Sequence, residues 1–211
     1  MTIRHHISDT LLMAYSAGQL PEAFSLVMAT HLSLCDDCRA RMGAFDAIGG
    51  AVVADCAAVA MADGSLAAAM ARIAQPEARP KPAVKGAYPA PLMEYLGGSP
   101  EALKWRPLGM GVKQAILPTD RSASARLLYI PAGHAVPDHG HRGTELTLVL
   151  QGAFRDASDR FGPGDLEIAD EAMQHTPIAE DGPACICLAA TDAPLRFTGI
   201  FPRLVQPFFR I

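Results

Sequence analysis

Two groups of metal-binding side chains lie about a hundred residues apart in this 211-residue chain. His31, Cys35 and Cys38 form an H-x3-C-x2-C cluster, and His139, His141, Glu145 and His175 form a second, chemically different set. Nitrogen and sulfur donors suit Zn²⁺ in a closed tetrahedron. Histidines with one carboxylate accept several divalent metals, and the site is structural or catalytic according to whether a coordination position stays open. Five of the seven histidines fall into these two sets once His6 is counted.

Cys35 and Cys38, three residues apart at a helix start, turn toward one ion, and the helix dipole there favours a thiolate. His31, at the end of the preceding helix, brings the third donor. The fourth comes from the N-terminus: His6, immediately before the first helix, is favoured, and His5 is the alternative that points to solvent. No general base stands nearby, and a domain this small gains folding free energy from a bound ion, so this site needs no catalytic role.

The elements that must position the first set are helical. Ser8 caps a helix through Leu11, Leu12 and Tyr15 that stops at Gly18, and Pro21 opens a second through Phe24, Val27, Met28 and His31. A third starts near Asp36 and continues through Met42, Phe45 and Ile48 until Gly49-Gly50 weakens it. Asp63 or Ser65 caps a fourth through Leu66, Met70 and Ile73. Pro76, Pro80, Pro82, Pro89 and Pro91 then mark an extended linker. After Leu92 the apolar period becomes alternating, with short strands at 114–117, 126–130, 145–150, 165–168, 184–188 and 195–197. The expected fold is α+β in separate domains: a small helical zinc-binding bundle over residues 1–75, a linker over 76–91, and an all-β barrel or sandwich over 92–211.

In the second set, His139 and His141 alternate and face the barrel interior, Glu145 arrives on the neighbouring strand, and His175 comes from a later hairpin. His134 fits no set. Cys185 and Cys187 share one strand face, either as redox-active thiols or as small buried residues, and burial is the favoured reading because free Cys is so often buried. Cys56 has no assigned role. Apolar residues on the first and fourth helices, Leu11, Leu12, Tyr15, Leu66, Met70 and Ile73, exceed what a small bundle needs internally. They read equally as core or as a surface inserted into a partner.

A formal net charge of −4 argues against direct nucleic-acid binding. No apolar run is long enough to span a membrane and no signal peptide is evident. The cysteine usage fits reducing surroundings, so a soluble, cytoplasmic protein is expected.

His31-x3-Cys35-x2-Cys38 between two helices, with His6 upstream, resembles the zinc-binding domain of anti-sigma factors. Residues 133–152 fit G-x5-H-x-H-x3-E-x6-G at Gly133, His139, His141, Glu145 and Gly152, which resembles the first cupin motif. Gly162-Pro163-Gly164-Asp165 followed by His175 resembles the second. The combination resembles the ChrR family of zinc anti-sigma factors over nearly the whole chain, including the stretch 204–211. That resemblance implies one Zn per domain and a 1:1 heterodimer with an extracytoplasmic-function sigma factor bound through residues 1 to about 85. It also implies release in response to singlet oxygen or related oxidants, with the cupin domain dispensable for inhibition but required for the response. The rival reading is a metal-dependent, dioxygenase-like cupin enzyme with iron or manganese in the second site and a helical part that merely aids assembly.

Overall fold

The structure, a computed structural model, describes residues 2–75, 87–98, 100 and 103–197. Helix α1 (Asp9–Ser16) opens at Ser8, whose hydroxyl accepts from the Leu11 amide at 3.4 Å. It closes with Gly18 N–H to Tyr15 O and Gln19 N–H to Ala14 O, a pair of bonds that needs the φ of 66° at Gly18. Pro21 is the N-cap of α2 (Glu22–Leu34), one position outside the helix. This helix buries Ala23, Phe24, Leu26, Val27, Met28, Thr30, His31 and Leu32 and leaves only Glu22 and Ser33 exposed. A helix with so narrow an exposed edge must be enclosed on most sides. Helices α1 and α3 (Asp36–Ala54) contact it, as do α5 (Ala90–Tyr95) and the β-sheet.

Helix α3 does not weaken at Gly49-Gly50; it runs on to Ala54, and the Asp55 amide donates to Ala51 O. Each helical glycine costs roughly 1 kcal/mol, and with no proline or competing cap behind them the backbone ladder continues. Helix α4 (Ser65–Ile73) also differs from expectation at its start. Its N-cap is Gly64 at φ 83°, no side chain bonds its first amides, and the Ser65 hydroxyl donates back to Ala62 O at 2.6 Å. Neither Asp63 nor Ser65 therefore caps it. Helix α5 straddles the sequence boundary at 91/92 and buries Leu92 and Met93; most of the expected linker, 76–86, lies outside the described residues.

The β part comprises β1 (Arg106–Gly109), β2 (Val112–Ile116), β3 (Ser124–Ile130), β4 (His139–Gly140), β5 (Glu145–Gln151), β6 (Phe154–Arg155), β7 (Arg160–Phe161), β8 (Leu166–Ala169), β9 (Gln174–His175), β10 (Ile178–Ala179), β11 (Cys185–Thr191) and β12 (Arg196–Phe197). One six-stranded antiparallel sheet has the order β1-β2-β3-β11-β5-β8; two small sheets, β10-β6-β7 and β12-β4-β9, complete the domain. Alternation assigns the two faces of the large sheet. Leu146, Leu148, Leu166, Ile186 and Leu188 join Leu12, Phe24, Val27 and Met28 in one apolar cluster that runs from the helices into the sheet. The intervening positions point inward, where Val149, Cys185 and Cys187 pack with Phe154 and Phe161. The helical part thus covers a sheet face that would otherwise meet water.

A polar knot fastens one end of this contact: the Tyr95 hydroxyl donates to Glu22 Oε1 (3.1 Å) and Pro118 O (3.0 Å), and the Asp120 amide donates to Glu22 Oε2 (2.7 Å). Gly152, a glycine of the first motif, sits at φ 68°, and a Cβ there would lie 2.7 Å from Ala184 O and 2.9 Å from Cys185 Cα. Gly152→Ala is expected to destabilise the β domain by about 1–3 kcal/mol, seen as a lower thermal midpoint.

Candidate metal centres

Cys35 is at once the last cap of α2 and the first cap of α3. This one-residue junction is why His31, in the last turn of α2, and Cys38, in the first turn of α3, point at each other. His31 Nε2 lies 3.3 Å from Cys38 Sγ, and His6 Nδ1 lies 3.3 Å from Cys35 Sγ and 3.6 Å from Cys38 Sγ. All four donors fall within 4.8 Å of one another. Sulfur and nitrogen about 2.3 and 2.0–2.1 Å from one ion, at tetrahedral angles, stand about 3.5 Å apart, so the donor set fits a closed N2S2 site.

The electrostatics agree with that fit. Burial first, and His6 second, push His31 down to about 4, so its ring is neutral and its lone pair is free for a cation. Burial pushes the Cys38 thiol up to about 11, so a thiolate there needs a positive neighbour. Arg41 Nη1, 4.0 Å from Cys38 Sγ, supplies part of that charge and is itself paired with Asp9. His5 lies apart from the cluster, its ring against Phe161 of the β domain.

In the β domain, His139 and His175 are direct partners across β4 and β9, and His141 follows one residue beyond β4. All three are buried, and one ring nitrogen from each lies within 4.8 Å of the others. His141 Nε2 and His175 Nε2 are 3.3 Å apart, which is about one edge of a tetrahedron around an ion with metal–nitrogen bonds of 2.0–2.1 Å. The outer nitrogens are held from behind. His139 Nδ1 donates to Pro137 O at 2.8 Å, leaving Nε2 for a ligand. His175 Nδ1 faces Asp156 Oδ2 at 2.8 Å and Glu167 Oε1 at 3.2 Å. Burial works against charge on His175, but Glu167 and then Asp156 outweigh it and raise the ring to about 9. Burial likewise raises the Glu167 carboxyl.

Glu145 departs from the expected arrangement. Its Oε2 lies 3.5 Å from His141 Nδ1, the side of the ring away from the cluster, and its Oε1 accepts from the Thr147 hydroxyl at 3.1 Å. The three-histidine group forms without it. Strand alternation placed Glu145 inside correctly but says nothing about which side of the imidazole its carboxylate takes. Asp156 and Glu167 escaped the sequence reading because no motif spacing ties them to His175; only the fold brings them together.

The remaining sequence candidates are placed as follows. Cys185 and Cys187 are fully buried with their sulfurs 3.5 Å apart on the inner face of β11. Cys56 is exposed, and His134 Nδ1 bonds Ala132 O in a loop. Leu66, Met70 and Ile73 are exposed on α4, which buries no side chain among the described residues. Leu12 is a correction: it is completely buried in the shared core, with Leu11 and Tyr15 half-buried against it, because that face of α1 is taken up by its own neighbours. The large apolar side chain α1 exposes is Met13; α3 exposes Ile48 in its expected part, and its unexpected extension adds Val52 and Val53.

A sheet with three inward histidines, covered by a helical part with an N2S2 cluster, defines a class of protein: residues 96–193 match the family described as the ChrR cupin-like domain. The whole chain is 65% identical to the anti-sigma-E factor ChrR of Cereibacter sphaeroides over 213 residues, covering 100% of both proteins. It also superposes, with a TM-score of 0.80 and 63% identity, on a chain of the crystal structure of Rhodobacter sphaeroides SigE in complex with the anti-sigma ChrR, covering 90% of this chain and 100% of that one. The chain belongs to the ChrR family of anti-sigma factors. Membership in a family of regulators decides against the cupin-enzyme reading.

Proposed function

We propose that this protein binds an extracytoplasmic-function sigma factor as a 1:1 heterodimer in the cytoplasm and holds it inactive until singlet oxygen or a related oxidant arrives. The observation that carries the reading is the geometry of His6, His31, Cys35 and Cys38 in a chain matched from end to end by an anti-sigma factor. In this reading the four residues hold a structural Zn. The cupin cluster takes a second metal, Zn by family analogy, on His139, His141 and His175, and Glu145, whose carboxylate now faces His141 Nδ1, reaches the open corner once it turns away from that nitrogen. An ion in these sites supplies charge neutralisation and cross-linking of elements distant in sequence.

Residues 1–75 supply the inhibitory face, 76–91 connect, and 92–211 receive the oxidant signal. The face itself is apolar: Ile48, Val52, Val53, Leu66, Met70 and Ile73 are 57–77% exposed, more than isolated surface residues require. A partner covering them would bury the unpartnered side of α4. Cys185 and Cys187 serve as packing residues of the barrel.

The test is capture from co-expression of the full chain with the sigma factor encoded nearest to its gene. Stoichiometric capture is expected. No capture by a chain that carries both metals would end the reading and turn attention to oxygen consumption by the cupin domain. The full chain is the right reagent, because a fragment ending near residue 85 would expose the sheet-facing side of α2.

A further inference from the structure

Residues 156–167 grip both clusters at once. The two ends of this stretch present carboxylates to one nitrogen, since Asp156 Oδ2 and Glu167 Oε1 lie 2.8 and 3.2 Å from His175 Nδ1. Its middle holds the N-terminal segment. His5 Nε2 lies 3.2 Å from Arg160 O and 3.6 Å from the Asp159 carboxylate, and its ring centroid is 4.3 Å from that of Phe161. Buried Asp165 accepts from the Arg4 and His5 amides at 2.6 and 3.0 Å, and the Leu166 amide donates to His5 O at 3.1 Å. His6, the next residue, faces Cys35 and Cys38.

The stretch is internally braced. Asp156 Oδ1 accepts from the Ser158 amide and hydroxyl and from the Asp159 amide, and the Gly162 amide donates to Asp165 Oδ2 at 2.8 Å. A contiguous chain of polar contacts therefore runs from His175 to His6.

The geometry points to residues 156–167 as the element that couples the two metal clusters: Asp156 and Glu167 register the position of His175, and Asp165 with His5 passes a change there to His6. While His175 is held at its cluster, its ring N–H stands between two converging carboxyl groups, hydrogen-bonded to Asp156 Oδ2 and facing Glu167 Oε1 at 3.2 Å. Withdrawing the ring leaves both without that donor, a state buried groups avoid by opening toward water. Opening the 156–159 turn loosens the grip on His5 and so the placement of His6. The use of this coupling, as the route by which damage at the cupin cluster loosens the inhibitory domain, rests on the anti-sigma reading; the coupling itself does not.

The experiment needs no sigma factor, so its failure and the failure of that reading are distinguishable. The full chain is loaded with cobalt(II), whose thiolate charge-transfer absorption reports only the cysteine-containing cluster, and loss of the band is followed after adding excess EDTA. His139→Ala, which disables the cupin cluster, is expected to speed that loss roughly fivefold or more. In a His5→Ala background the same change should act by less than about twofold. Asp156→Asn, which keeps its shape and is a donor of neither the N2S2 nor the three-histidine cluster, should speed the loss in the same direction and serves in place of His139→Ala if that variant does not fold. An effect of equal size in both backgrounds, or no effect in folded variants, would overturn the coupling.

Discussion

A chain carrying Met70→Asp and Ile73→Asp is expected to lose sigma-factor affinity by about a thousandfold while binding as much zinc as the unsubstituted protein. Both side chains stand on one face of α4, 57% and 76% exposed, and that helix buries nothing among the described residues. Substitution there costs the free protein little, since exposed positions away from caps and partners change stability by about 0.5 kcal/mol or less. In a complex the same positions would carry two carboxylates into an apolar contact. Central interface residues are each worth about 2 kcal/mol or more, so the pair approaches three decades in Kd. Titration calorimetry with the sigma factor and elemental analysis of zinc read the two quantities separately. A fall in zinc content would instead make these residues part of the helical core.

Cys38→Ser should have the opposite signature, with one zinc lost per chain and the packing of α1 and α3 lost with it. Cys38 is fully buried and within 3.6 Å of two other donors of its cluster, His31 and His6. A structural zinc contributes on the order of 10 kcal/mol to small metal domains, comparable with the entire stability of most folds. The surrounding helices have little to replace it: α3 buries only Cys38, and α1 only Leu12. Far-UV circular dichroism should show reduced helix while the β domain keeps its thermal transition. An unchanged zinc count would show that the four donors are not a metal site.

The parts of this molecule that were legible in its sequence are those written in short-range spacing. His31, Cys35 and Cys38 are neighbours around one helix junction, and His139 opens a two-residue strand that His141 directly follows, so their convergence follows from local periodicity. The long strands were visible in the same way. Of the six two-residue strands among the described residues, β12 falls on the expected run at 195–197, whereas β4, β6, β7, β9 and β10 are too short to show alternation.

Leu12 and Met13 mark a different limit. Apolar periodicity identifies a helix face that must be covered but not whether the same chain or another molecule covers it. Leu12 faces its own core, and Met13 faces outward. Gly49-Gly50 failed as a stop signal because glycine discourages a helix without ending it. Asp165 was visible as the last residue of the Gly162-Pro163-Gly164-Asp165 motif, but its hold on Arg4 and His5 was not, and Asp156 and Glu167 were missed because no spacing in that motif relates either of them to His175.

Helix α2 belongs to the packing of both halves, with Phe24, Val27 and Met28 in one cluster with Leu146, Leu148 and Leu188, and Glu22 knotted to Tyr95 and Asp120. Cutting the backbone anywhere between residues 75 and 87 would therefore not set the helical half free. The two pieces would stay fastened by this shared core, and a protease that destroys the protein must drag α2 off the sheet, so turnover here is a pulling problem as much as a cleavage problem.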